Sequence, residues 1–123
     1  MGREVTWQYT GLEILHEGDF SGERLRREGT YVVCFGALWC PITRRFLPKF
    51  VRARERMPGT CAVADVTDRE SPLWDTFRIR ITPSILVFRH GVVDRRVDGR
   101  RFFGITAGAL ARLEDPPVPG GAR

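Results

Sequence analysis

The chain has 123 residues, 42% of them apolar and 28% charged, a balance that fits one folded domain with a modest core and excludes a disordered chain. Net charge is +5, and Lys49 is the only lysine among 20 basic residues, so an acidic partner is allowed without being established. No apolar run reaches the ~20 residues of a membrane-spanning helix, and Met1 to Trp7 holds no apolar signal core, so no membrane role and a cytoplasmic location are expected.

In chain order, residues 1–11 read as a polar lead-in with two aromatics, and 12–16 as a first strand. Asp19-Phe20-Ser21 resembles a helix start, with a helix running to about Glu28 and stopping at Gly29. Tyr31 to Phe35 is continuous and apolar, the pattern of a strand buried on both faces. A helix is predicted over 41–57, with Ile42, Phe46, Phe50, Ala53 and Met57 on one face, Pro41 in its first turn and Pro48 as a kink.

Cys61 to Val66 reads as a further buried strand, and Ser71-Pro72 opens a short helix to about Phe77. Ile85–Phe88 and Val92–Val97 form a hairpin turning at His90-Gly91, followed by a helix over 106–114. Residues 115–123, rich in Pro and Gly, read as a disordered tail. The order β-α-β-α-β-α-β-β-α implies an α/β domain over 12–114, a parallel core with an antiparallel hairpin at its edge.

The chemistry concentrates at Trp39-Cys40-Pro41-Ile42-Thr43, between a buried strand and a helix. Unpaired N–H groups at a helix start favour a thiolate at Cys40, and the Thr43 hydroxyl, Arg44 and Arg45 push the same way. Cys34 and Cys61 lie in apolar strands, where cysteine behaves as a small hydrophobe. Three irregularly spaced cysteines make no disulfide framework, and His16 and His90 stand far apart, so neither a metal nor another cofactor is expected.

Arg45, Lys49, Arg52 and Arg56 form a cationic helix stripe. It reads as a solvated face, with a docking face for an acidic protein as the alternative; nucleic acid is disfavoured because no aromatics interleave with the stripe. Asp65, Asp68 and Asp75 read as capping and solubility residues.

Over roughly 12–113 these residues resemble the thioredoxin family. Trp39-Cys40 matches its Trp-Cys, Pro48 its helix proline, Pro83 its cis-proline facing the active-site cysteine, and Phe88, Gly91 and Gly99 its hairpin positions. The resemblance implies a thioredoxin-like fold, a central mixed sheet flanked by helices. It also implies a groove shaped by Thr82-Pro83, Trp39, Pro41 and Ile42, where backbone near Thr82 pairs with a bound chain.

The departures concern chemistry. Thr43 replaces the resolving cysteine, Cys34 the buried aspartate, Ala64 the lysine paired with that aspartate, and Gly36 a common tryptophan. Two functions follow. One is monothiol thiol–disulfide exchange by Cys40 on a protein disulfide or thiol client, resolved by a low-molecular-weight thiol or by Cys34. No Gly-Gly pair of the glutaredoxin kind follows the cis-proline strand, so specific glutathione recognition is not implied. The other is a redox-inactive module that holds a client in the cis-proline groove.

Overall fold

The computed structural model describes residues 6–114; the tail expected over 115–123 lies outside the described residues. Seven strands are present: β1 (Glu13–Leu15), β2 (Phe20–Ser21), β3 (Arg24–Leu25), β4 (Thr30–Gly36), β5 (Thr60–Asp65), β6 (Ser84–Arg89) and β7 (Val92–Asp98). The helices are α1 (Pro41–Ala53), α2 (Leu73–Thr76) and α3 (Ala107–Ala111). The main sheet runs β1-β5-β4-β6-β7, with β1, β5 and β4 parallel and β6 and β7 antiparallel. This is the thioredoxin-like α/β fold, a five-stranded mixed sheet with flanking helices.

Alternation along the strands divides the core. Val32, Cys34, Cys61, Val63, Ile85 and Val87 face α1, which meets them with Phe46, Leu47 and Phe50. Val33, Phe35, Leu86 and Phe88 face the other way, onto Phe20, Leu25, Leu73 and Phe77. Successive strand side chains point to opposite faces, so β4, with both faces covered, reads as an unbroken apolar run.

The helix expected over Asp19–Glu28 is not formed. Residues 20–25 make a hairpin in which Phe20 pairs with Leu25, both pointing into the core. Gly22, at φ +58°, makes the turn, and Leu25 N–H donates to the Gly91 carbonyl at 2.9 Å. A left-handed glycine is favoured in a tight hairpin turn and disfavoured inside a helix. Asp19 starts no α-helix; it ends a 3₁₀ turn, Glu17–Asp19, and closes that turn's capping box. Its carboxylate accepts from the His16 backbone N–H at 2.8 Å and from Arg27 Nη2 at 2.9 Å, and Arg27 also bonds Glu13 on β1.

The other helices are shorter than their patterns suggest. α1 runs through Pro48 and gives way at Arg54–Arg56 to a 3₁₀ turn. α2 has Pro72 at its N-cap, with Ser71 Oγ accepting from the Leu73 N–H at 3.2 Å. α3 is capped by Thr106, whose hydroxyl accepts from the Ala109 N–H at 3.1 Å. The hairpin turns at His90-Gly91 as expected, with both residues at positive φ.

Candidate functional site

Cys40 is the N-cap of α1, extended at φ −92° and ψ 113°. Pro41 has no N–H, so the amides of Ile42 and Thr43 are the first donors of the helix, and both act on the sulfur. The Thr82–Pro83 bond is cis. It presents the Thr82 carbonyl to the thiol, and Cys40 Sγ donates to it at 3.5 Å. The loop is braced behind this contact. Ser84 Oγ donates to the Ile81 carbonyl at 2.7 Å and accepts from the Gly99 N–H at 3.3 Å. A Cβ at Gly99 would stand 2.3 Å from the Pro83 carbonyl oxygen, so that approach requires glycine.

Two influences compete at Cys40, which is 8% exposed. Burial pushes its thiol up, but the Thr43 and Thr82 side chains and the Thr43 and Ile42 amides outweigh burial and leave it below the ordinary value. Thr43 is fully buried, and its Oγ1 has no hydrogen-bond partner among the described residues other than the Cys40 sulfur on which it acts. Its hydroxyl is thus free to bond the thiolate. Of the two arginines that follow, Arg44 donates from Nη1 to the Leu38 carbonyl at 2.6 Å.

Cys34 is 0% exposed in the middle of β4. Burial, reinforced by nearby Cys61, holds its thiol far above the ordinary range. Burial likewise pushes Cys61 up to about 11. The neighbour of Cys34 across the ladder and on its own face is Val63; Ala64 pairs with Phe35 and faces the opposite core. The expectation that Ala64 stands beside Cys34 is therefore off by one residue, which in a strand reverses the face.

Gly36 leaves room that other side chains fill. A Cβ there would meet Thr43 Cγ2 at 2.7 Å and Trp7 Cη2 at 3.4 Å. Trp7, a residue the sequence did not single out, is thus packed beside Thr43 from the N-terminal segment. Trp39 is 40% exposed and donates from Nε1 to the Thr67 carbonyl at 2.8 Å. It stacks on Trp74, with centroids 6.4 Å apart and planes at 14°, and the Arg69 guanidinium lies 4.0 Å from its ring centre.

A cleft of about 470 Å³ opens at Cys40, bounded by Trp39, Ile42, Thr82, Trp74 and Phe102. The structure thus brings Cys40, Thr43, Thr82 and Pro83 together, with Trp39 and Ile42 on the rim, and leaves Cys34 in the core. Pro41 is exposed at the helix start. Asp65 and Asp68 act as loop caps, accepting from the N–H groups of Thr67 and Glu70, each at 2.9 Å. Among the described residues no group of His, Cys, Asp and Glu converges as a metal site, and no helix is long and apolar enough to cross a membrane.

The sequence model of the family described as Thioredoxin matches residues 12–107, and the chain belongs to that family. It is similar to protein disulfide-isomerase A5 of Mus musculus, 27% identical over 125 residues, a match covering 90% of this chain. The chain spans about a quarter of that relative's length, 24%. Among solved structures it resembles Chlamydomonas reinhardtii thioredoxin f2 with a TM-score of 0.67 and 19% identity, over 84% of this chain and 93% of that one. Mitochondrial thioredoxin 3 of Saccharomyces cerevisiae gives 0.64 and 18%, over 85% and 93%. At these identities the structural likeness concerns the fold, and thiol–disulfide chemistry with protein partners is the general province of the family.

Proposed function

We propose that the protein is a monothiol thiol–disulfide exchanger acting through Cys40. The observation that carries this reading is a thiol lowered below its ordinary range despite burial, at a helix N-cap and against the Thr82 carbonyl. The Cys40 thiolate attacks one sulfur of a client disulfide. The S–S bond breaks, and the other client sulfur leaves as a thiolate and takes a proton from solvent. An external low-molecular-weight thiolate then attacks the Cys40 sulfur and releases the remaining client thiol. A second equivalent of that thiol restores the Cys40 thiolate, so two external thiols become one disulfide while the client gains two electrons.

Resolution falls to an outside thiol because Thr43 has none to offer and Cys34 is sealed and held neutral by burial. Cys34 would serve only after β4 opened. Three free cysteines suit a reducing compartment such as the cytoplasm. The second reading, a client-holding module without turnover, draws on the same cleft. Its aromatic rim holds a chain as well as it presents one to a nucleophile.

The test is pH-dependent alkylation of Cys34→Ala/Cys61→Ala protein, followed by turnover of a protein mixed disulfide with an added thiol. Exchange requires a Cys40 pKa below the ~8.5 of free cysteine and activity that vanishes in Cys40→Ser and survives in Cys34→Ala. A Cys40 pKa at or above that value, with client binding intact in Cys40→Ser, gives the holding module instead. Turnover lost in Cys34→Ala transfers resolution to Cys34.

A further inference from the structure

We propose that the cleft beside Cys40 selects clients whose reacting cysteine is flanked by aspartate or glutamate. The proposal deepens the exchange reading by naming its substrate class, and it rests on that reading for the chemistry but not for the recognition.

Three arginines, Arg69, Arg80 and Arg101, line the cleft with Cys40 and Thr82, and no carboxylate lines it. Two carboxylates close to these arginines, Asp98, which shares a neighbouring cavity with Arg80, and Asp68, next to Arg69 in the chain, have partners elsewhere. Asp98 pairs with Arg96 at 2.8 Å, and Asp68 accepts from the Glu70 N–H. Ion pairs among the described residues occupy Arg27, Arg56, Arg89, Arg95 and Arg96, whereas Arg69, Arg80 and Arg101 have no acidic partner.

Two of the three are held in place by rings. The Arg69 guanidinium sits over Trp39 at 4.0 Å and that of Arg101 over Phe102 at 5.3 Å. Stacking on a ring orients the planar cation while leaving its N–H edge free for a carboxylate, and it reduces the freedom lost on binding. The two rings come from different segments. Trp39 is tied to the 67–74 loop through Thr67 and Trp74. Phe102, 71% exposed, tops a turn closed by the Arg100–Gly104 bridge, and a Cβ at Gly104 would touch Ile42 and Pro83. A chain with its cysteine at Cys40 therefore meets a fixed cation over each ring, with Arg80 beside Thr82 and Ile81.

Single-stranded nucleic acid is the competing acidic ligand, since it too uses arginine and aromatic rings. The geometry favours a peptide. Trp39 is partly occupied by Trp74 and Arg69, which leaves it less available to a base, and the cleft floor carries a thiol and a peptide carbonyl, the groups that a cysteine-bearing chain engages.

The experiment uses peptides whose single cysteine carries a 2-thiopyridyl disulfide and is flanked on both sides by Glu, Gln or Lys. Cys40 displaces pyridine-2-thione, whose absorbance gives the rate. With Cys34→Ala/Cys61→Ala protein at low salt, the Glu peptide reacts about tenfold faster than the Gln peptide and the Lys peptide slower than both, the preference shrinking as salt rises. In Arg69→Gln/Arg80→Gln/Arg101→Gln the Glu-to-Gln ratio collapses toward one. In Arg52→Gln/Arg56→Gln, which removes charge from the last turn of α1 and the 3₁₀ turn after it, the ratio stays. Equal Glu and Gln rates, or a preference indifferent to the triple change, overturn the proposal.

If no activated peptide reacts, the exchange reading fails by itself. Selection is then measured by fluorescence anisotropy with Cys40→Ser protein and the serine analogues of the same peptides. Tighter Glu binding sustains the proposal. Equal binding, or displacement of the Glu analogue by a poly-dT oligonucleotide at a lower concentration than the unlabelled Glu analogue requires, overturns it.

Discussion

Cys34 and Cys40 belong to one strand and the turn that follows it, and both are largely hidden from solvent, yet their thiols are pushed in opposite directions. Cys34 sits in an apolar cluster with Val32, Val63, Ile85 and the α1 face, and its titratable neighbour is another buried thiol, Cys61. Around Cys40, which keeps 8% of its surface exposed, two backbone amides and two threonine side chains act on the sulfur. Burial removes water from both sulfurs, but only at Cys40 does the protein replace it with donors. Reactivity in this molecule thus follows from the donors around a thiol together with how deep it lies.

The largest effect expected from this contrast is on stability in alkali. For Cys34 and Cys61 the folded pKa lies above the unfolded one, so the unfolded chain loses protons first as pH rises. Their contribution is intact below about pH 8.5 and is lost progressively above it, for Cys61 until about 11. Each fully sealed thiol changes the unfolding free energy by up to about 1.4 kcal/mol per pH unit in that window; Cys61, nearer the end of its strand, contributes less. Tyr31, whose pKa is also raised, chiefly by burial, adds to the loss in the same sense. Denaturant titrations between pH 8 and 11 therefore give a steeper decline for the native protein than for Cys34→Ala/Cys61→Ala. Parallel declines would mean that the two thiols are not sealed as described.

Next in size is the effect of Thr43→Val, which keeps the shape and removes the hydroxyl. Alkylation of Cys40 at neutral pH slows by about three- to tenfold, because a donor to the thiolate is lost and its pKa rises. The fold gains or loses less than about 1 kcal/mol, since the buried hydroxyl has no structural partner among the described residues. An unchanged alkylation rate would leave the helix amides as the principal cause of the lowered thiol. A large loss of stability would mean that the hydroxyl has a structural partner.

Most of the strand order and the strand–Cys–helix placement was legible in the sequence, because long apolar runs, Pro41 at the helix start and Thr82-Pro83 are local signals. Three features were not. Phe20 and Leu25 carry no periodicity that separates a two-residue hairpin from a short helix, and only their pairing into the core decides it. Ala64 and Val63 differ by one register step, which no apolar run can settle. Arg69, Arg80, Trp74 and Arg101 reach the cleft from segments distant from Cys40 in the chain, each looking in sequence like a surface residue.

Trp7 is the clearest case of a residue invisible until folded, and its conservative replacement by Phe supports the smallest prediction. It lies far before Cys40 in the chain, and its indole packs beside Gly36 and Thr43 while its buried Nε1 has no partner among the described residues. Its role is therefore to fill volume rather than to donate a hydrogen bond. Trp7→Phe keeps most of that volume and removes the unpaired N–H, so it changes the unfolding free energy by less than about 1 kcal/mol in either direction. Trp7→Ala leaves a void beside Thr43 and costs about 3–5 kcal/mol. Cys40 alkylation read on the same samples separates packing from chemistry. A Trp7→Phe protein that is as destabilised as Trp7→Ala would show that the indole N–H is bonded after all. One that stays stable but reacts slowly at Cys40 would make Trp7 a positioning residue for Thr43.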